Sequence, residues 1–125
     1  MAISPEYREF LEDQFASFGP IAIRRMFGGA GLFRDGLMFA LVAADTLYFK
    51  VDDTNQADFE ARNMEPFTSL RKSKPASLRY YQVPAEILED PLELRPWAEK
   101  AFAVALSAAQ SKASKKRGAG KRRAK

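Results

Sequence analysis

The sequence predicts an α+β fold in two layers, an antiparallel β-sheet of about five strands with helices packed on it, followed by a disordered basic tail. Three observations lead there. Apolar residues at helical spacing occur near both ends of the first 107 residues, period-two spacing fills the middle, and no strand–helix–strand alternation appears. The last eighteen residues, 108–125, contain no large apolar side chain. They cannot bury enough surface to offset the entropy of ordering them.

Ser4-Pro5-Glu6 combines a hydroxyl N-cap, a proline at the first helical position and an acid in the first turn, which predicts a helix start. Tyr7, Phe10, Leu11 and Phe18 form its apolar stripe, and Gly19-Pro20 ends it, giving a helix over 5–18. Ile21, Ile23 and Met26-Phe27 read as a strand that the glycines at 28, 29 and 31 interrupt and Leu32-Phe33 resumes. Asp35-Gly36 then marks a hairpin, because both residues tolerate positive φ. Leu37 to Val42 is an unbroken apolar run, as in a central strand. After a turn at Ala44-Asp45, Leu47, Phe49 and Val51 alternate with polar neighbours, so one face is buried.

Asp53 and Gln56 have capping-box spacing and predict a short helix over 54–62, with Asn63 as its left-handed cap. Residues 64–77, with two prolines and Arg71-Lys72-Ser73-Lys74, read as an exposed loop. Leu78 to Val83 is the last strand, with Tyr80 and Tyr81 on opposite faces. Asp90-Pro91-Leu92-Glu93 opens a terminal helix to about residue 107, whose face is Leu94, Trp97, Ala98, Ala101, Phe102, Ala105 and Leu106. Pro96 predicts a kink or a late start, since an interior proline costs about 3 kcal/mol.

Composition narrows the function. With 125 residues, 46% apolar content and ten phenylalanines, one core is expected. The absence of cysteine excludes disulfides, zinc–thiolate sites and thiol nucleophiles and fits a reducing compartment. No run approaches the ~18 apolar residues of a membrane span, and no leader pattern opens the chain, so a cytoplasmic protein is expected. The formal charge of +4 hides a division: residues 1–107 hold 12 Lys/Arg against 16 Asp/Glu, whereas 108–125 hold 8 Lys/Arg and no acid. The body (1–107) is acidic and the tail (108–125) carries the basicity.

The segment Arg25-Met26-Phe27-Gly28-Gly29-Ala30-Gly31-Leu32-Phe33, continued by Asp35-Gly36-Leu37-Met38-Phe39-Ala40-Leu41, is similar to the opening motif of TfoX (Sxy) N-terminal domains. So are Asp45 to Asp52 with Asn55 and Asp58-Phe59, then Glu65-Pro66-Phe67 and Tyr80 to Pro84. The resemblance covers roughly residues 5–107. It implies a two-layer fold around an antiparallel sheet, of the kind also seen in secretion chaperones, and often a dimer. It implies no reaction and no cofactor. Longer members carry a second, C-terminal helical domain and are linked to induction of DNA uptake together with transcription factors; the resemblance therefore implies a stand-alone member lacking that domain.

Several residue groups offer chemistry. Gly28-Gly29-Ala30-Gly31 can in principle present amides to a phosphate, but a strand pattern follows it and no nucleotide-loop spacing is present, so a turn or bulge is expected. Asp45, Asp52, Asp53 and Asp58 are the carboxylates for a hard cation, although Asp45 reads as a turn residue and Asp53 as a cap. Ser69-Leu70-Arg71-Lys72 matches Ser-x-x-Lys without the partner motifs of hydrolases that use it. The chain has no histidine, hence no usual general base. Arg24, Arg25, Arg71, Lys72, Lys74 and Arg79 are candidates for one basic patch with Tyr80 or Tyr81. In the tail, Lys112, Lys115, Lys116, Arg117, Lys121, Arg122, Arg123 and Lys125 suit weak, sequence-independent attraction to nucleic acid.

Together these predict a non-enzymatic regulatory protein, without metal or cofactor, that contacts a second copy or a protein partner while its tail adds attraction to nucleic acid. The alternatives are a direct nucleic-acid-binding protein and, further off, a small hydrolase.

Overall fold

The computed structural model describes residues 3–26, 28–67 and 79–124, with side chains as far as residue 112. Its elements run α1 (Pro5–Gln14), β1 (Ala22–Met26), β2 (Gly29–Arg34), β3 (Leu37–Ala43), β4 (Thr46–Lys50), α2 (Gln56–Glu60), β5 (Tyr80–Gln82), α3 (Ala85–Leu88) and α4 (Pro91–Ala124). The five strands form one sheet in the order β1-β2-β3-β4-β5, every pair antiparallel. The α+β architecture is as the sequence predicts, with the apolar run Leu37–Val42 in the central strand.

The first helix is shorter than the spacing predicts. The Ser4 hydroxyl accepts from the Tyr7 amide at 3.1 Å, but the helix stops at Gln14. Phe15 leaves helical geometry, and the turn to Gly19 swings Phe15 and Phe18 onto Phe39, with ring centroids 5.8 and 5.2 Å from it. Phe39 in turn meets Phe49 at 6.2 Å. Burying two more rings outweighs another turn of surface helix, since each aromatic removes a large apolar area from water.

The two hairpin turns follow from positive φ. Asp35 (52°) and Gly36 (79°) join β2 to β3, and Ala44 and Asp45 (both 51°) join β3 to β4. Asp45 also accepts from the Ser4 amide at 2.9 Å, which anchors the start of α1 to this turn. Alanine is a poor occupant of a left-handed position. Ala44→Gly is expected to stabilise the fold by about 0.5–1 kcal/mol, read as a higher denaturation midpoint at unchanged m-value.

Between β2 and β3 the register shifts: Leu32 opposes Ala40 but Phe33 opposes Met38. Phe39 is the extra residue, and the bulge turns its ring into the core. The sequence placed a bulge or turn at the glycines instead. Gly28 does occupy the turn, but Gly29 and Gly31 pair within β2 and do not interrupt it.

Two further differences concern the second half. Residues 65–67, predicted as loop, pair with β5: the Phe67 amide donates to the Tyr80 carbonyl at 2.7 Å and the Gln82 amide to Glu65 at 3.0 Å. The helix α4 starts at Pro91, Asp90 capping the Leu92 amide at 3.0 Å, and passes through Pro96 without ending. The carbonyl four residues before Pro96 belongs to Leu92, in the exposed first turn, where a carbonyl without a helical partner is open to solvent and the loss costs little.

The core lies between one sheet face and the helices. Leu94, Ala98, Ala101 and Ala105 of α4 are at most 5% exposed, and their small size lets the helix lie close against β3 and β4. Leu106, predicted for the same face, is 40% exposed instead. Arg34 clamps the assembly from the side. Its guanidinium sits 4.3 Å from the Phe18 ring and 4.9 Å from Phe102, and bonds Glu99 of α4 at 3.3 Å.

Candidate functional site

The motif around the glycines builds the β1–β2 hairpin. Register places Met26, Gly31 and Phe33 together on the sheet face away from the core, with Met38 of β3 beside them. A side chain at Gly31 would meet Met38 Sδ at 2.9 Å and Met26 and Phe33 at 3.1 Å, so the glycine leaves room for a sulfur–aromatic cluster. Leu41 and Tyr48 continue this outer face, Tyr48 edge-on to Phe67 at 5.1 Å. Each of Met26, Phe33, Met38, Leu41 and Tyr48 keeps part of its surface exposed. Tyr81 lies on the opposite, core face and packs on Phe59 at 5.9 Å. Gly29, Ala30 and Gly31 form a paired strand with no helix following, which removes the geometry a phosphate loop needs. Phe27 lies outside the described residues.

Among the described residues the basic patch is not assembled. Arg24 and Arg25 are on β1 and Arg79 adjoins β5, opposite edges of a five-stranded sheet, about 19 Å apart at the usual strand spacing. Arg79 is further engaged by Asp53 at 3.1 Å. Arg71, Lys72 and Lys74, like Ser69, lie outside the described residues.

The four aspartates also disperse. Asp45 holds the Ser4 amide, Asp52 accepts from the Thr54 amide at 2.8 Å, Asp53 pairs with Arg79, and Asp58 pairs with Lys100 of α4 at 2.8 Å. Among the described residues no three metal-capable side chains converge. The N-cap position of α2 is Asn55, not Asp53 as the spacing suggests, and its side chain bonds outside the helix. Asn55 is 2% exposed; its Oδ1 accepts from the Asp52 amide at 2.9 Å and its Nδ2 donates to the Lys50 carbonyl at 3.1 Å. Among the described residues it is the one buried polar side chain of the core, and it joins the end of β4 to the start of α2.

The terminal helix reaches past the boundary near residue 107 read from the sequence: α4 runs from Pro91 to Ala124, about 51 Å in all, with side chains described as far as Lys112. Alanine, lysine and arginine are good helix formers, and extending an existing helix avoids the cost of nucleation. Lysines and arginines near a helix C-terminus also complement its dipole. Ala108, Ala109, Ser111 and Lys112 face Leu37, Met38 and Lys50 of the sheet across a cavity, so the first turns of the basic segment belong to the folded body. The side chains of Lys115, Lys116, Arg117, Lys121, Arg122 and Arg123, and all of Lys125, lie outside the described residues. No helix among the described residues is long and apolar enough to cross a membrane.

Comparison with known proteins fits this architecture. The sequence pattern of the TfoX N-terminal domain matches residues 13–105, from the end of α1 to the last buried alanine of α4. DNA transformation protein TfoX1 of Aliivibrio fischeri is 32% identical over 96 residues, 74% of this chain and 46% of that protein. The chain thus spans about half the length of the curated relative it matches. With the five-stranded sheet, the glycine hairpin and this match in agreement, the chain belongs to the TfoX N-terminal domain family.

Proposed function

We propose that the protein is a non-catalytic regulatory module of the DNA-transformation type, whose folded body contacts a second copy or a protein partner and whose basic helical extension adds nonspecific attraction to nucleic acid. The observation that carries this reading is the separation of charge. An acidic body is poorly suited to be a nucleic-acid surface, whereas an acid-free run of eight cations in eighteen residues neutralises phosphates without reading bases. The part-exposed Met26, Phe33, Met38, Leu41 and Tyr48 on the outer sheet face offer apolar area for protein contact. The absence of histidine and cysteine leaves little material for acid–base or nucleophilic catalysis.

The test compares the full chain with one ending after Lys112, which keeps the turns of α4 that face the sheet. In low salt the full chain is expected to bind duplex DNA weakly, with affinity falling steeply as salt rises. The shortened chain is expected to lose at least about tenfold in affinity while keeping its sedimentation coefficient and any captured protein partner. Equal DNA binding by both chains contradicts the role of the extension. Loss of partner and self-association together with DNA binding identifies a direct nucleic-acid binder instead.

A further inference from the structure

Where the second half of α4 passes the start of β3 and the end of β4, the surface opens into a cavity of about 480 Å³. Its walls are Leu37 and Met38 on one side and Ala105, Ala108 and Ala109 on the other, with Lys50, Ser111 and Lys112 as the polar groups. Lys50 is half-buried, its ammonium 5.2 Å from the ring centroid of Tyr80. Tyr80 itself is only 4% exposed. Burial first, and the neighbouring Lys112 ammonium second, hold the Lys50 pKa below its usual value. Among the described residues neither ammonium has a carboxylate partner. A half-buried ammonium and an exposed one therefore meet over an apolar floor, an arrangement that favours entry of an anion.

We propose that this cavity binds a small organic anion with an apolar body, of the class of medium-chain aliphatic carboxylates. The volume falls in the range of ligand pockets. The carboxylate would lie between the two ammoniums, where charge-assisted hydrogen bonds are strongest, and the chain along Leu37, Met38 and the alanines, with the flexible thioether adapting to it. A phosphodiester fits less well, because beyond the two ammoniums and the Ser111 hydroxyl the walls are aliphatic and leave its remaining oxygens without donors. Because Lys50 is on the sheet and Lys112 on α4, one bound carboxylate ties the beginning of the basic extension to the body.

The proposal is tested by titrating the full chain with octanoate, 1-octanol and acetate, following backbone amide shifts. Octanoate at millimolar concentration is expected to shift amides of residues 37–38, 50 and 105–112, with octanol and acetate each binding at least about tenfold more weakly. Lys50→Met, which keeps the stem and removes the charge, is expected to weaken octanoate about tenfold; Lys112→Met, at an exposed position, about threefold. Ala108→Leu fills the cavity and is expected to abolish binding with both charges present. Amide spectra of the variants report folding independently of binding. Equal affinity for octanol and octanoate, shifts confined to other residues, or full octanoate binding by Lys50→Met overturns the proposal, and none of these outcomes bears on DNA binding by the extension.

Discussion

Gly29→Ala is expected to be among the most damaging single substitutions, destabilising the fold by about 3 kcal/mol or more and lowering the melting temperature by roughly 10 °C. A Cβ at this position would stand 2.2 Å from the carbonyl oxygen of Val42 and 3.3 Å from its carbon. Both are backbone atoms of β3, so no side-chain rotation relieves the overlap. The strands must separate, and the pairing of β2 with the central strand carries the whole sheet. Gly31→Ala provides the comparison: its new methyl meets the ends of Met38, Met26 and Phe33, and thioethers yield more easily than backbone. About 1 kcal/mol is expected there. Thermal denaturation followed by circular dichroism measures both, and a Gly29→Ala protein as stable as Gly31→Ala contradicts the packing of β2 on β3.

The second large effect is expected at Asn55. Asn55→Ala leaves the Asp52 amide and the Lys50 carbonyl without their side-chain partner in a buried place, at a cost of about 2–4 kcal/mol. Asn55→Asp is expected to do no better, since it keeps an acceptor for Asp52 but faces the Lys50 carbonyl with a second oxygen instead of a donor. Asp53→Ala is expected to cost under about 0.5 kcal/mol, because Asp53 is almost fully exposed and its ion pair with Arg79 is a surface pair. Urea denaturation of the three variants separates the buried Asn55 anchor from the Asp53 cap read from spacing. A larger loss at Asp53 than at Asn55 restores the one read from spacing.

That pair of residues also shows where the sequence stops being informative. Asp35-Gly36 and Asn63 were legible because positive φ is a demand on one residue and few residue types meet it; all three adopt it. The choice between Asp53 and Asn55 depends on a carbonyl five residues earlier, at the end of β4, which no local spacing reveals. The bulge at Phe39 is equally hidden, because the alternation of β3 breaks only in relation to its partner strand. Period two separated Tyr80 from Tyr81 but left open which of them meets the core. Arg24, Arg25 and Arg79 were close in type and lie apart, since no local pattern reveals that β1 and β5 are opposite edges. For the C-terminal segment, composition argued that little apolar area is available, and it left unread that the helix held by Leu94, Ala98 and Ala101 runs past residue 107, where alanine and lysine are good helix formers.

The strand order has a consequence for how the molecule is made. Since β1 to β4 pair with their chain neighbours through short turns, that part of the sheet can zip up from short-range contacts with small loop-closure entropy, in the order in which the residues leave the ribosome, and β5 joins after the longer connection through α2. The residues that close the core over it, Leu94, Ala98, Ala101 and Ala105, follow all five strands in the chain. During synthesis only α1 and the turn carrying Phe15 and Phe18 cover Phe39 and Phe49 until α4 emerges, and that interval is when the nascent protein is most prone to aggregate.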